Sequence, residues 1–162
     1  RKDLALFGEF GKQGVGYPVQ ALTEELVRIL RADRDIPVAV FGIGELGTAL
    51  VRYLTGRRRS DPKYPFVISA LFDSDPAKIG TNVEGLTIEL LESWSEDKNR
   101  KEVKIALITV PAGAAQEVAD RAYRLGIKGF LNFAPTKLRL PPDARVVNAD
   151  VTHQLQELAY YL

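Results

Sequence analysis

From residue 37 onward the chain alternates between short, uninterrupted apolar runs and longer segments whose apolar positions recur every three or four residues. PVAVFGIG, beginning at Pro37, ends in glycines, and ELGTALVRYL behind it has helical spacing. FVISALFD and VKIALITV repeat the first pattern, and PAGAAQEVADRAYRLG repeats the second. LTIE, IKGFLNFAP and ARVVNAD predict three further short strands, and LLESWSEDKN predicts a helix. Strands whose polarity does not alternate are buried on both faces, which requires helices on both sides of a parallel sheet. The pattern therefore predicts an α/β fold, a doubly wound, Rossmann-like parallel sheet over residues 36–150. TGRRRSDPKYP, between the first helix and the second strand, reads as a basic loop with Arg57, Arg58 and Arg59 in solvent.

Two flanking segments follow other patterns. RKDLALFGEFGKQGVGY, residues 1–17, carries glycines at 8, 11, 14 and 16 among Phe7, Phe10 and Tyr17, which suits a small hairpin too short to fold alone. Residues 18–35 predict a linking helix: Pro18 suits a first turn, and Val19, Leu22, Leu26, Val27 and Leu30 share one face. At the other end, 151–162 is helical by period, with Val151, Leu155, Leu158, Ala159 and Leu162 on one stripe. That helix either packs back on its own sheet or is donated to a partner subunit.

Composition narrows the class. A chain of 162 residues fits one ordinary domain, and at that length folding buries roughly 70% of the unfolded surface. A net charge of +1 gives no general electrostatic reason to expect a nucleic acid or an anionic membrane. With no cysteine, thiolate chemistry and Cys-ligated metal are excluded, no metal site is assigned, and a reducing compartment is natural. No apolar run approaches the ~20 residues that span a bilayer, and Arg1-Lys2-Asp3 does not open a signal peptide. A soluble, cytoplasmic protein without membrane partners is the expectation. Methionine is absent even at position 1, so a processed or shortened chain is expected.

Candidate chemistry centres on Gly42-Ile43-Gly44-Glu45-Leu46-Gly47, a G-x-G-x-x-G sequence placed where a buried strand meets a helix. Gly42 permits the tight turn, Gly44 lets the backbone approach a pyrophosphate, and Gly47 lets the helix pack against the sheet. Free N–H groups at the helix start and the helix dipole favour the anion, the dipole by ~0.3–1 kcal/mol and up to ~2 when partly buried. Asp73 closes the next strand, with Asp75 the near alternative; a carboxylate there accepts from the adenosine ribose hydroxyls and repels a 2′-phosphate, favouring NAD(H). Ligands of such sheets sit beyond the carboxyl ends of the strands. Thr109, Val110 and Pro111, then Asn132 and Phe133, then Asp150 should therefore line the site, with Pro111 and Phe133 offering an apolar wall to a nicotinamide ring.

The machinery for hydride transfer is missing from the pattern. The single histidine, His153, lies on the C-terminal helix away from any carboxylate motif and reads as a surface or packing residue. Tyr123 is followed by Ile127 and then Lys128, so no Tyr-x-x-x-Lys pair forms. No catalytic residue is assigned, and the expectation is a protein that holds a dinucleotide without reacting with it. An NAD-dependent oxidoreductase and a CoA-binding domain of the acyl-CoA synthetase type remain alternatives.

RKDLALFGEFGKQGVGY, FGIGELG, LFDSDPAKIG, ITVPAGAAQEVADRAYRLGIKGFLNFAP and NADVTHQLQELAYYL together resemble, almost end to end, the Rex redox-sensing transcriptional repressors. The resemblance implies an N-terminal winged helix, of which 1–17 would be the recognition-helix tail and wing, with Arg1, Lys2 and Lys12 as phosphate contacts to operator DNA. It implies a C-terminal NAD(H)-binding domain, and a homodimer that exchanges the 151–162 helices. It also implies that Asp150 lies near the nicotinamide and the dimer contact. The next position can carry an aromatic in the family and is Val151 here, a departure that bears on the nicotinamide contact. NAD⁺ and NADH differ at the ring by one charge, so an apolar ring pocket favours the reduced form. A hundredfold preference needs about 2.7 kcal/mol. NADH binding would then release the operator.

Overall fold

The computed structural model describes Thr23 and residues 34–94 and 102–162. The hairpin expected over 1–17, with Arg1, Lys2 and Lys12, lies outside the described residues, as does the linking helix expected over 18–35 except for Thr23, which is helical, and Arg34 and Asp35, which are not: there the chain is already leaving for β1.

Among the described residues from 34 onward, eleven segments follow in order: β1 (Ile36–Phe41), α1 (Glu45–Ser60), β2 (Phe66–Phe72), β3 (Asn82–Val83), β4 (Leu86–Glu89), a 3-10 turn (Leu91–Ser93), β5 (Ile105–Ile108), α2 (Ala112–Arg124), β6 (Gly129–Asn132), β7 (Arg145–Asn148) and α3 (Val151–Tyr160). The strands form one sheet in the order β3-β4-β2-β1-β5-β6-β7. Every pairing is parallel except that of β3 with β4. Strand order reverses between β1 and β5, so the crevice beyond their carboxyl ends is where a ligand belongs. The fold is Rossmann-like.

The continuous apolar strands bury both faces. Ala39 and Phe41 of β1 point into one cluster with Phe72, Ala106, Ile108 and Phe130. Val38 and Val40, one residue out of phase, enter the other with Val51, Ile68, Leu71, Ile88 and Leu107. Helix α1 closes the second face through Val51. Helix α2 closes the first through Ala115, Ala119 and Ala122, whose spacing sets three small, fully buried side chains on one stripe.

Three local expectations are corrected. Arg57, Arg58 and Arg59 are not in a loop but in the last turn of α1, which continues through Gly56 to Ser60. Arginine is a good helix former, and a cation complements the carbonyl end of the helix dipole. Each arginine also has a partner: Arg58 pairs with Asp35 at 2.8 Å, Arg59 with Glu84 at 2.9 Å, and Arg57 lies over the Tyr64 ring. LLESWSEDKN is helical in its described part only as the 3-10 turn at Leu91–Ser93. There the Ser93 hydroxyl donates to the Leu90 carbonyl at 2.7 Å, and buried Leu91 turns the chain inward. The strand β3 was not expected. It exists because Glu84 and Gly85 both take positive φ, 51° and 85°, the conformation of a two-residue hairpin turn.

The C-terminal helix α3 does not pack back on its own sheet. All of its residues are exposed, Val151, Leu155 and Leu158 by 62%, 60% and 62%. No described helix is long and apolar enough to cross a membrane.

Candidate nucleotide-binding crevice

The end of β1 is stitched to its neighbours before the helix begins. Gly42 N–H donates to the Phe72 carbonyl at 2.8 Å, and Thr109 N–H to the Phe41 carbonyl at 2.9 Å. The Thr109 hydroxyl lies 2.9 Å from the Phe41 carbonyl oxygen and 2.7 Å from that of Gly42, so β5 braces the turn. Gly42 has φ of 98°, a left-handed conformation that favours glycine. A Cβ on Gly47 would stand 2.0 Å from the Gly42 carbonyl oxygen, whereas a Cβ on Gly44 would meet nothing within 4 Å. The three glycines thus differ sterically: Gly42 makes the turn, Gly44 faces open space and Gly47 is a tight packing contact.

Beside this loop lies a crevice of about 750 Å³. Gly42 and Gly44 line it from the end of β1, Phe72, Asp73 and Ser74 from the end of β2, and Thr109, Val110 and Pro111 from the end of β5. Lys78, Leu91 and Glu92 enclose the far side with the α2 face carrying Ala114, Glu117, Val118 and Arg121. Phe41 and Phe72 form its floor and stack with centroids 5.1 Å apart; Trp94 stacks on Phe72 at 4.9 Å.

Asp73 is the organising acid. Its side chain is 9% exposed. Oδ2 accepts from the Ile43 N–H at 2.7 Å, Oδ1 accepts from the Asp75 N–H at 2.9 Å, and Lys78 Nζ lies 3.2 Å from Oδ2. Burial alone would raise its pKa, but the Asp75 and Ile43 amides and the Lys78 ammonium together hold the carboxyl below its ordinary value. Asp75, the alternative, instead turns outward, 47% exposed, and its Oδ1 accepts from the Ala77 N–H. The acid tied to the glycine loop is therefore Asp73.

The other expected residues divide. Ile43 contributes its N–H, while its side chain is buried beneath the loop. Glu45 and Leu46 sit exposed in the first turn of α1, outside the crevice lining. Asn132 is 1% exposed: its Nδ2 donates toward the Ala134 and Thr136 carbonyls and Asn148 Oδ1, and its Oδ1 accepts from the Ala134 N–H. It braces the exits of β6 and β7 and shows no polar atom to the crevice. Phe133 follows it, half-buried, and Asp150 caps α3 by accepting from the His153 N–H at 3.0 Å. Both stand at the carboxyl end of the sheet but outside the crevice lining.

Several lining residues escaped the sequence reading. Lys78 lies on the turn after β2, and Glu92, paired with Arg121, on the turn after β4. Ala114, Glu117, Val118 and Arg121 carried a legible signal, because that spacing makes them one face of a helix, adjacent to the buried alanine stripe. Tyr123 and Lys128, whose spacing misses the dehydrogenase pair, meet for another purpose. Lys128 Nζ lies 3.8 Å from the Tyr123 ring centroid, and both side chains hydrogen-bond Asp143, at 2.7 and 2.6 Å. Lys128 and Asp143 stand before β6 and β7, so the cluster is at the amino end of the strands, opposite the crevice.

Comparison with known proteins fits this geometry. Residues 33–136 match the family model described as CoA binding domain. Over its whole length the chain is 48% identical to the redox-sensing transcriptional repressor Rex of Brevibacillus brevis, covering 76% of that protein. Among solved structures it is similar to RSP, a Rex-family repressor, in complex with β-NAD⁺ and operator DNA. There the TM-score is 0.84 at 32% identity, over 99% of this chain and 72% of that one. The complex of RSP with β-NADH gives 0.77 at 29% identity, with the same coverage. A match that runs through every strand of the sheet and both ends of the chain goes beyond a shared domain model, and the chain belongs to the Rex family of redox-sensing transcriptional repressors.

Proposed function

We propose that this chain is a redox-sensing repressor that binds NAD(H) beside Gly44 and Asp73, and that binding of NADH releases operator DNA. Residues 36–150 form the nucleotide-binding domain, 1–17 belong to a winged helix whose Arg1, Lys2 and Lys12 contact phosphates, 18–35 link the two, and 151–162 serve dimerisation. The observation that carries this reading is the joining of Asp73 to the glycine loop through the Ile43 N–H, on one wall of a crevice at the reversal of strand order.

The crevice also supports a division of labour. Its lining comes from the ends of β1, β2 and β5, the turns after β2 and β4, and one face of α2, the side on which an adenosine half would lie. Asn132, Phe133 and Asp150, on the side where the ring would project, leave that half open in a single chain. The exposed apolar stripe of α3 begins directly after Asp150, which favours a homodimer in which exchanged helices complete the ring environment. The shared adenosine end supplies affinity, and the ring end discriminates by the cost of desolvating a cation. The protein reads the ligand rather than reacting with it, as a cytoplasmic regulator.

The test is fluorescence titration with NADH and NAD⁺, together with release of a labelled duplex bearing a Rex operator. Tighter binding of NADH than of NAD⁺, coupled to duplex release, is expected. Turnover of NADH with small carbonyl metabolites would overturn the sensor reading in favour of an oxidoreductase. Tight CoA binding without NADH binding would overturn it in favour of the CoA-binding alternative. Leu155→Glu with Leu158→Glu should convert the dimer to monomer in sedimentation, and an unchanged mass would remove the helix-exchange proposal.

A further inference from the structure

Asp73 has fewer free acceptor sites than a ribose diol requires. An ionised carboxylate offers about four lone-pair positions. Oδ2 already takes the Ile43 N–H at 2.7 Å and Lys78 Nζ at 3.2 Å, and Oδ1 takes the Asp75 N–H at 2.9 Å. One position is left, on Oδ1, so a single hydroxyl can donate to the acid while its neighbour cannot. Lys78 stands at the same spot. It lines the crevice, its side chain is 37% exposed, and its ammonium carries three donors. One meets Asp73 Oδ2, and the Asp75 carboxylate stays 4.0 Å away. The base of the side chain is fixed: Lys78 N–H donates to the Asp75 carbonyl at 3.0 Å, and Gly80 N–H to the Ile88 carbonyl at 2.9 Å.

We propose that Lys78 is a ligand-binding residue for the adenosine ribose, its ammonium donating to the hydroxyl oxygen that the Asp73 carboxylate cannot serve. The diol is then read by a pair of opposite charges, one accepting and one donating, instead of by an acid alone. This deepens the nucleotide-binding reading above and rests on it.

The test compares NADH with its 2′-deoxyadenosine and 3′-deoxyadenosine analogues on the wild type, Lys78→Met and Lys78→Arg, each first shown to melt as a folded protein. A charge-assisted hydrogen bond of this kind is worth about tenfold in affinity. In the wild type, one analogue should bind about tenfold more weakly than NADH through this contact. In Lys78→Met, NADH should weaken about tenfold, and that same analogue should bind as well as NADH does. Lys78→Arg, which keeps donors, should restore part of the difference. Unchanged NADH affinity in Lys78→Met overturns the proposal. So does an equal loss for NADH and both analogues, which marks a lysine that merely braces Asp73. If the wild type binds neither NADH nor NAD⁺, the nucleotide reading itself falls and takes this inference with it.

Discussion

Gly44 and Gly47 stand three residues apart in one motif, yet adding a methyl to each should damage different properties. At Gly47 the new Cβ would lie 2.0 Å from the Gly42 carbonyl oxygen and 3.1 Å from Thr109 Oγ1. Even a close C–H···O contact keeps roughly 3.3 Å, so helix and turn must part by about 1 Å, against a carbonyl held in a braced backbone. Overpacking of this kind costs about 3 kcal/mol, and alanine in a helix returns about 1 kcal/mol relative to glycine. A net loss of about 2 kcal/mol lowers the melting temperature of a chain this long by roughly 4–8 °C. At Gly44 the backbone is extended, with φ −84° and ψ −160°, and the Cβ meets nothing within 4 Å. Alanine is the poorer helix cap, but it also reduces unfolded-state entropy by about 0.4–1 kcal/mol. The two nearly cancel, and Gly44→Ala should melt within about 2 °C of the wild type. Its methyl instead takes the open space through which the proposed pyrophosphate would reach the helix start, so NADH affinity should fall at least about tenfold, or 1.4 kcal/mol. Calorimetry and fluorescence titration on the two variants decide the matter. A Gly47→Ala protein that melts with the wild type refutes the packing argument. A Gly44→Ala protein that binds NADH normally refutes the proposed line of approach.

Other substitutions test the braces. Thr109→Val removes the hydroxyl from the Phe41 and Gly42 carbonyls and should cost about 1 kcal/mol in denaturant unfolding; no shift in midpoint would show the turn held by backbone bonds alone. Asn132→Ala strips a partner from the buried Ala134 N–H and should cost about 2–4 kcal/mol, read as a lower urea midpoint at constant slope; a loss below about 1 kcal/mol counts against its role as a brace. Asp73→Ala should weaken NAD⁺ and NADH equally, because the adenosine end is common to both, and a loss confined to one form contradicts that assignment. The pH dependence follows from the same acid, whose folded pKa lies below its unfolded value near 3.8. Its stabilisation is complete above that unfolded value and disappears as pH falls through the folded one. The stability gap between wild type and Asp73→Asn should therefore be widest near neutrality and close below about pH 4, and a gap independent of pH would sink the argument.

What the sequence disclosed, and what it hid, follows physical lines. Strands such as VAVF and IALI were legible because burial on both faces leaves no polar position to interrupt them. The glycine loop was legible because each glycine answers a separate steric demand. Strand β3 was not, since two residues have no period, and its existence depends on the turn at Glu84 and Gly85. The arginines of α1 read as a loop because charge and Gly56 mimic a break, whereas two of their partners, Asp35 and Glu84, are distant in the chain. Lys78 was hidden for a related reason: nothing in DSDPAKIG says that the lysine folds back on the acid five residues earlier. Asn132 was placed at the correct end of its strand, but a residue at a strand exit can face ligand or neighbouring backbone, and only the tertiary contacts show that it does the latter.

The aromatic stack beneath the crevice gives the protein an internal optical gauge. Trp94 is the single tryptophan of the chain, 4.9 Å from Phe72, whose ring is part of the crevice floor. Indole emits light in the band that the reduced, but not the oxidised, nicotinamide absorbs. Occupancy by NADH should therefore quench emission from Trp94 by energy transfer, while NAD⁺ leaves that channel dark, and the redox state of the bound coenzyme becomes readable without a label.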